Sequence, residues 1–160
     1  MKKVPIGISD YKELIEKGYA YVDKTLFIQE IINKGTKIAI IPRPRRFGKT
    51  VNMSMLKYFF EKNTEDNSQL FSPYKIWQTE EKSSQGKYPV IFFTLKEIKR
   101  KTWKLAYNAF KALIAEEFTW HRYLLDSSKL FPEEKKVFQD ILEQQANEAN
   151  TALSLKYLVR

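Results

Sequence analysis

Residues 38–53 read IAIIPRPRRFGKTVNM. An apolar, β-branched run (TKIAIIP, 36–42) precedes a basic turn, and an amphipathic segment from about Thr50 to Lys62 follows it. Bounded by glycine and proline, the run predicts a buried strand. Val51, Met55 and Phe59 recur four apart, with Asn52, Leu56 and Phe60 beside them, and predict a helix with a broad buried side. A strand, a basic loop and a helix in that order are what a phosphate-binding loop requires. In such a loop consecutive backbone N–H groups face the phosphates at a helix N-terminus, whose dipole also favours anions. The lysine reaches the β and γ phosphates, and the Ser or Thr hydroxyl ligates Mg²⁺.

The common pattern is GxxxxGK[ST]. Gly48, Lys49 and Thr50 fill its last three positions, and Arg43 stands where the first glycine would be. That position only begins the turn, whereas the amides that hold phosphate come from about Phe47 to Val51. Pro44 has no N–H, but it occupies an early position where no donor is needed, and it stiffens the turn. Gly48 keeps the place of closest approach. The expected binding residues are Arg45, Arg46, Phe47, Gly48, Lys49, Thr50 and Val51, with Thr50 the metal ligand for Mg²⁺. The bland alternative is a basic strand-to-helix turn of no chemical meaning.

The rest of the chain bounds the choices. It has 160 residues, 43% of them apolar, enough for a single domain over 1–160 with a sizeable core. Net charge is +9, and the excess is local: no acid occurs from Ile31 to Phe60, against seven lysines and arginines. A second basic cluster, KEIKRKTWK, spans Lys96 to Lys104. Both suit phosphate groups of a nucleotide or of a nucleic acid. With no cysteine, disulfides and cysteine-based zinc sites are excluded. The single histidine, His121, reads as a partly exposed helix-end residue. No signal-like or membrane-length apolar run is present, so the expectation is a cytoplasmic protein without a membrane partner.

Ser9 or Asp10 caps an expected first helix that Gly18 stops, and Asp23 caps a second that ends at Gly35. LFSPYKIW is a short irregular or strand segment between polar loops. YPVIFFTLK predicts a second strand. Helices are expected over about Thr102–Tyr123, Pro132–Asn147 and Thr151–Val159. The fold class that follows is α/β: a P-loop NTPase-like parallel sheet with flanking helices, incomplete, and helix-rich in its C-terminal half.

The segment PIGISDYKELIEKGYAYVDKTLFIQEIINKGTKIAIIPRPRRFGKTVNMSMLKYFF (5–60) resembles the predicted AAA-ATPase-like family of bacterial proteins. There a segment of the type SDFKEIIE…YYVDKT precedes RPRRFGKTLNMSMLKYFF. The resemblance continues through LFSPYKIW and GKYPVIFFTLKEIK. It implies that Arg43 in place of glycine is normal, and that the fold is that of an ATP-binding P-loop ATPase using Mg²⁺. Longer members often carry a nuclease-like domain of the PD-(D/E)XK class further on.

Hydrolysis in this class needs an apolar strand ending in Asp, often followed by Glu. YPVIFFTLK ends in Thr94, Leu95 and Lys96, and Asp126 lies within or just after a helix. The chain therefore reads as the phosphate-binding part of a larger ATPase, weakly hydrolytic or inactive alone. Self-association, or pairing with a missing C-terminal part, would cover its sheet edges. Adenine contacts are placed around Tyr19 to Asp23, where the tyrosines also read as ordinary packing residues. Two rivals stay open: a nucleic-acid module using the basic patches and Trp103, and an inert interaction fragment. Trp103 itself is expected on a helix face against the core.

Overall fold

Asp10 begins the first helix. Its side chain accepts the Glu13 N–H at 2.9 Å, capping α1 (Tyr11–Glu16), and Gly18, at φ 65°, turns the chain beyond it. The computed structural model describes residues 3–35, 37–42, 44, 47–62 and 65–159, with the Glu97 side chain left aside. These residues divide into two compact units, one ending at Val90 and the other beginning at Ile91.

In the first unit, α1 packs on α3 (Lys49–Phe60), and α2 (Leu26–Asn33) lies against a 3-10 turn at Lys75–Gln78. The core is aromatic: Tyr11, Phe59 and Phe71 are fully buried with Ile28, Met55 and Ile76. Phe59 meets Phe71 edge-on at 5.1 Å, and Tyr11 stacks on Phe71 at 5.3 Å. The polar atoms that this burial strands are paired. The Tyr11 hydroxyl donates to the Leu70 carbonyl at 3.0 Å, and the Tyr11 N–H donates to Ser54 Oγ at 2.9 Å. The C-terminal end of α3 is closed by backbone donors from a later loop: Gly86 N–H to Phe59 O, and Tyr88 N–H to Phe60 O.

In the second unit, α4 (Trp103–Trp120) packs against α5 (Pro132–Leu142), followed by the short α6 (Glu148–Ala152) and α7 (Ser154–Leu158). Thr102 caps α4 by accepting the Leu105 N–H, and Glu134 reaches back to accept the Phe131 N–H at the start of α5. Phe118 and Phe138 meet at 4.6 Å in its core, beside Ile114 and Ile141.

The expected parallel sheet is absent among the described residues; the architecture there is helical. One isolated parallel bridge, Glu61 to Tyr88, is the sole β pairing found among them. Residues 37–42 run without regular structure, and Ile38 and Ile40 are 83% and 84% exposed. β-Branched composition favours a strand only where a neighbour supplies ladder bonds and a second layer covers one face. Neither condition is met there. The second expected strand fails for a related reason: the Phe92 N–H is taken at 3.0 Å by the Glu117 carboxylate, a side chain of α4, in place of a ladder carbonyl.

Two single-residue expectations are also corrected. Trp103 is 78% exposed at the first position of α4, stacked on Tyr107 at 5.9 Å, while the buried residues of α4, Ile114, Ala115, Glu117 and Phe118, all lie in its C-terminal half. His121 does end α4 but is buried, with Nε2 at 3.3 Å from Glu117 Oε1 and Nδ1 at 3.3 Å from the Tyr123 hydroxyl. Glu117, one helical turn earlier on the same side, supplies the polar partner that makes this burial tolerable.

Candidate functional site

Gly48 adopts the left-handed conformation, φ 73° and ψ 23°, immediately before α3. This backbone region is one that an L side chain enters at a cost of about 1–2 kcal/mol. The glycine turns the chain from the basic loop into the helix. Its carbonyl accepts the Asn52 N–H at 2.9 Å, the first bond of α3, and no side chain caps the helix there. The leading amides of a helix have no intrahelical acceptor and point out along the axis, where the dipole is positive. α3 runs for 12 residues, so that dipole is well developed.

The structure brings Gly48, Lys49, Thr50 and Val51 together on this turn. Lys49 and Thr50 are exposed, and Val51 is half-buried against the aromatic core. Phe47 is exposed just ahead of the glycine. Arg43, Arg45 and Arg46 lie outside the described residues. Anchorage comes from behind the turn: Asn52, Ser54, Met55 and Phe59 are buried, and Ser54 Oγ donates to the Val51 carbonyl at 3.0 Å while accepting the Tyr11 N–H. The start of α3 is thereby held from beneath while its end remains accessible.

A second segment reaches the same place. In YAYVDKT (19–25), Asp23 Oδ1 accepts the Thr25 N–H at 2.9 Å and the Thr25 hydroxyl at 2.7 Å, and Asp23 Oδ2 accepts the Lys75 N–H at 3.1 Å. Thr25 is fully buried, and its hydroxyl oxygen accepts the Ile76 N–H at 3.2 Å. Burial pushes the Asp23 carboxyl up, but the bonds from Thr25 and Lys75 outweigh it and hold the group below the usual carboxylate range. Tyr21 packs edge-on against Tyr11 and Tyr74, and its hydroxyl accepts the Lys24 N–H at 3.2 Å. Burial pushes the Tyr21 phenol up to about 12. Within the segment from Tyr19 to Asp23, where adenine contacts were expected, Tyr21 packs against its neighbours and Asp23 forms a turn.

Between Asp23 and Thr25, the side chain of Lys24 extends to Gly48: its Nζ stands 3.8 Å from where a β-carbon on that glycine would be. Sequence reasoning missed Lys24. The D-x-T spacing announces a tight side-chain-to-backbone turn, but no local pattern says what that turn faces.

A family model described as Predicted AAA-ATPase matches residues 5–157. The chain belongs to that family. A protein described as "Uncharacterized protein in vnfD 5'region", from Azotobacter chroococcum mcd 1, is 43% identical over 63 residues. The aligned part is 39% of this chain and 12% of that protein, so this AAA-ATPase-like chain spans only a small part of its curated relative. No solved structure matches the chain. Among the described residues no helix is long and apolar enough to cross a membrane, and no group of three or more His, Cys, Asp or Glu is placed to hold a metal ion.

Proposed function

We propose that this AAA-ATPase-like chain binds Mg-ATP through RPRRFGKT, residues 43–50. The observation that carries the reading is Gly48: a left-handed glycine at the head of a 12-residue helix, followed directly by Lys49 and Thr50. The residues fit a nucleotide phosphate chain. A β-carbon at Gly48 would stand on the side that faces a lysine ammonium, so its absence lets an anion approach the backbone closely. Lys49 supplies charge to the β and γ phosphates, Thr50 offers its hydroxyl to Mg²⁺, and Phe47, Gly48 and Val51 contribute backbone around the phosphates. Arg45 and Arg46 add guanidinium groups from the same loop. Mg²⁺ bridging the phosphates would supply the remaining charge neutralisation. The acids of this chain are given no role in activating water, and in this reading the chain alone hydrolyses ATP weakly or not at all.

Equilibrium binding of Mg-ATP to the 160-residue chain, compared with Lys49→Ala, tests the reading. Loss of a charge-assisted phosphate contact of this kind lowers affinity by about 10- to 100-fold. Equal affinity of the two proteins would refute it.

A second reading is favoured by one observation: Trp103 is exposed within KRKTWK, where an indole face and neighbouring cations suit a stacked base on a phosphate backbone. Single-stranded oligonucleotide binding that falls steeply with salt, and that Trp103→Ala weakens while Lys49→Ala does not, would support it.

A further inference from the structure

We propose that Lys24, carried on the YVDKT turn, is a second phosphate-binding lysine that closes over Gly48 and contacts the phosphate chain of the nucleotide from the side opposite the loop's own residues. The inference rests on the phosphate-loop reading above and adds to it a residue that is 24 positions away from Gly48 in sequence.

Three observations support it. The first is placement: the Lys24 ammonium lies 3.8 Å from the β-carbon position of Gly48, which is where phosphate must pass closest to backbone. The second is rigidity at its base. Lys24 donates its N–H to the Tyr21 hydroxyl and its carbonyl accepts the Phe27 N–H at 3.0 Å, while Asp23 and Thr25 on either side are bonded to Lys75 and Ile76. Backbone and neighbours are committed inward, so the side chain is the part of the turn presented to the loop. The third is charge. Among the described residues no carboxylate forms an ion pair with Lys24, and no acid occurs anywhere from Ile31 to Phe60. The Lys24 ammonium near Gly48 adds positive charge where Lys49 follows directly in the chain, a charge that a polyphosphate neutralises and an apolar or cationic ligand would not.

This arrangement gives the Asp23–Thr25 knot, in which Thr25 is buried and Asp23 half-buried, a purpose beyond stability. It fixes the Lys24 backbone on a turn anchored to the aromatic core, so less backbone freedom is lost when the ammonium meets phosphate. Lys24 is exposed, so its side chain is open to an arriving phosphate.

The test compares Mg-ATP binding by wild type, Lys24→Gln, Lys24→Met, Lys24→Arg and Lys49→Ala, with thermal unfolding of each protein. Both neutral variants are expected to bind about tenfold more weakly, and Lys24→Arg within about threefold of wild type, because it retains the charge. Melting temperatures are expected to stay close to wild type, since the bonds of the turn come from the Lys24 backbone and from Asp23 and Thr25. Retention of wild-type affinity by Lys24→Gln and Lys24→Met, with loss in Lys49→Ala, would overturn this inference and leave the phosphate-loop reading standing. Equal weakening in Lys24→Arg and Lys24→Gln would also overturn it, since charge would then not be what matters. A wild-type chain that does not bind Mg-ATP overturns the loop reading, and the inference with it.

Discussion

Two segments flank α2, and they differ in how they meet their own backbone needs. YVDKT, before it, is a knot: Asp23 and Thr25 satisfy one another and then bind Lys75 and Ile76, across about fifty residues of sequence. The run KIAIIP, after it, has the stronger apolar content yet lacks regular structure and is mostly exposed, with Ile38 and Ile40 largely in solvent. Polar side chains one or two residues apart carry their partners with them, so a D-x-T turn forms wherever the chain allows it. A buried strand carries no partner; its stability comes from ladders and layers supplied from elsewhere. The contrast separates what a short sequence specifies alone from what it specifies only in company.

The knot rests on the aromatic core through Thr25 and Ile76, both fully buried. Phe59→Ala should cost about 3–5 kcal/mol, the largest effect expected here, because it empties a fully buried ring site between Phe60 and Phe71. Urea unfolding followed by far-ultraviolet circular dichroism would read it. A cost under about 1 kcal/mol would mean that the aromatic cluster is loosely packed and that the YVDKT turn lacks a rigid base.

Next comes the knot. Asp23→Ala removes the acceptor for three donors, those of the Thr25 N–H, the Thr25 hydroxyl and the Lys75 N–H, and should cost about 2 kcal/mol at neutral pH. Its pH dependence follows from the sign of the shift. The folded-state carboxyl lies below its ordinary value of 3.8, so its stabilising contribution is complete above that value and is lost as pH falls through the lower folded pKa. Wild type and Asp23→Ala should therefore differ most at neutral pH and converge in strong acid. A difference that does not change between pH 7 and the acid limit would show that the Asp23 charge is irrelevant to the turn.

Legibility in the sequence follows the same division. Asp10 and Gly18 bounding α1, the Val51, Met55 and Phe59 spacing of α3, and Pro132 opening α5 were all readable, because caps and periodicity are local. So was the place of Gly48 at the head of a helix. The two expected strands were misread, since β-branched composition reports a preference and not the presence of a neighbour. Trp103 and His121 exchanged places relative to expectation. The indole is exposed and the imidazole is buried against Glu117, a pairing visible in the i, i+4 spacing once a buried helix end is considered. Lys24 was not legible at all. Its role depends on a turn and a glycine that only the fold brings together.

The smallest effect tests the exposed half of the comparison. Ile40→Thr keeps β-branching, and so leaves the backbone preference of the run nearly unchanged, while it removes apolar surface. If Ile40 lies in solvent as the structure places it, the stability of the chain should change by less than about 0.5 kcal/mol. A loss near 2 kcal/mol would place the side chain in an apolar contact, since replacing a buried methylene by a hydroxyl is never neutral. The size of the change thus separates a run that merely has the composition of a strand from one that is covered. Measured beside Asp23→Ala, it also shows which side of α2 holds the approach to Gly48: the knotted turn, if only that variant is costly, or both segments, if the two losses are alike.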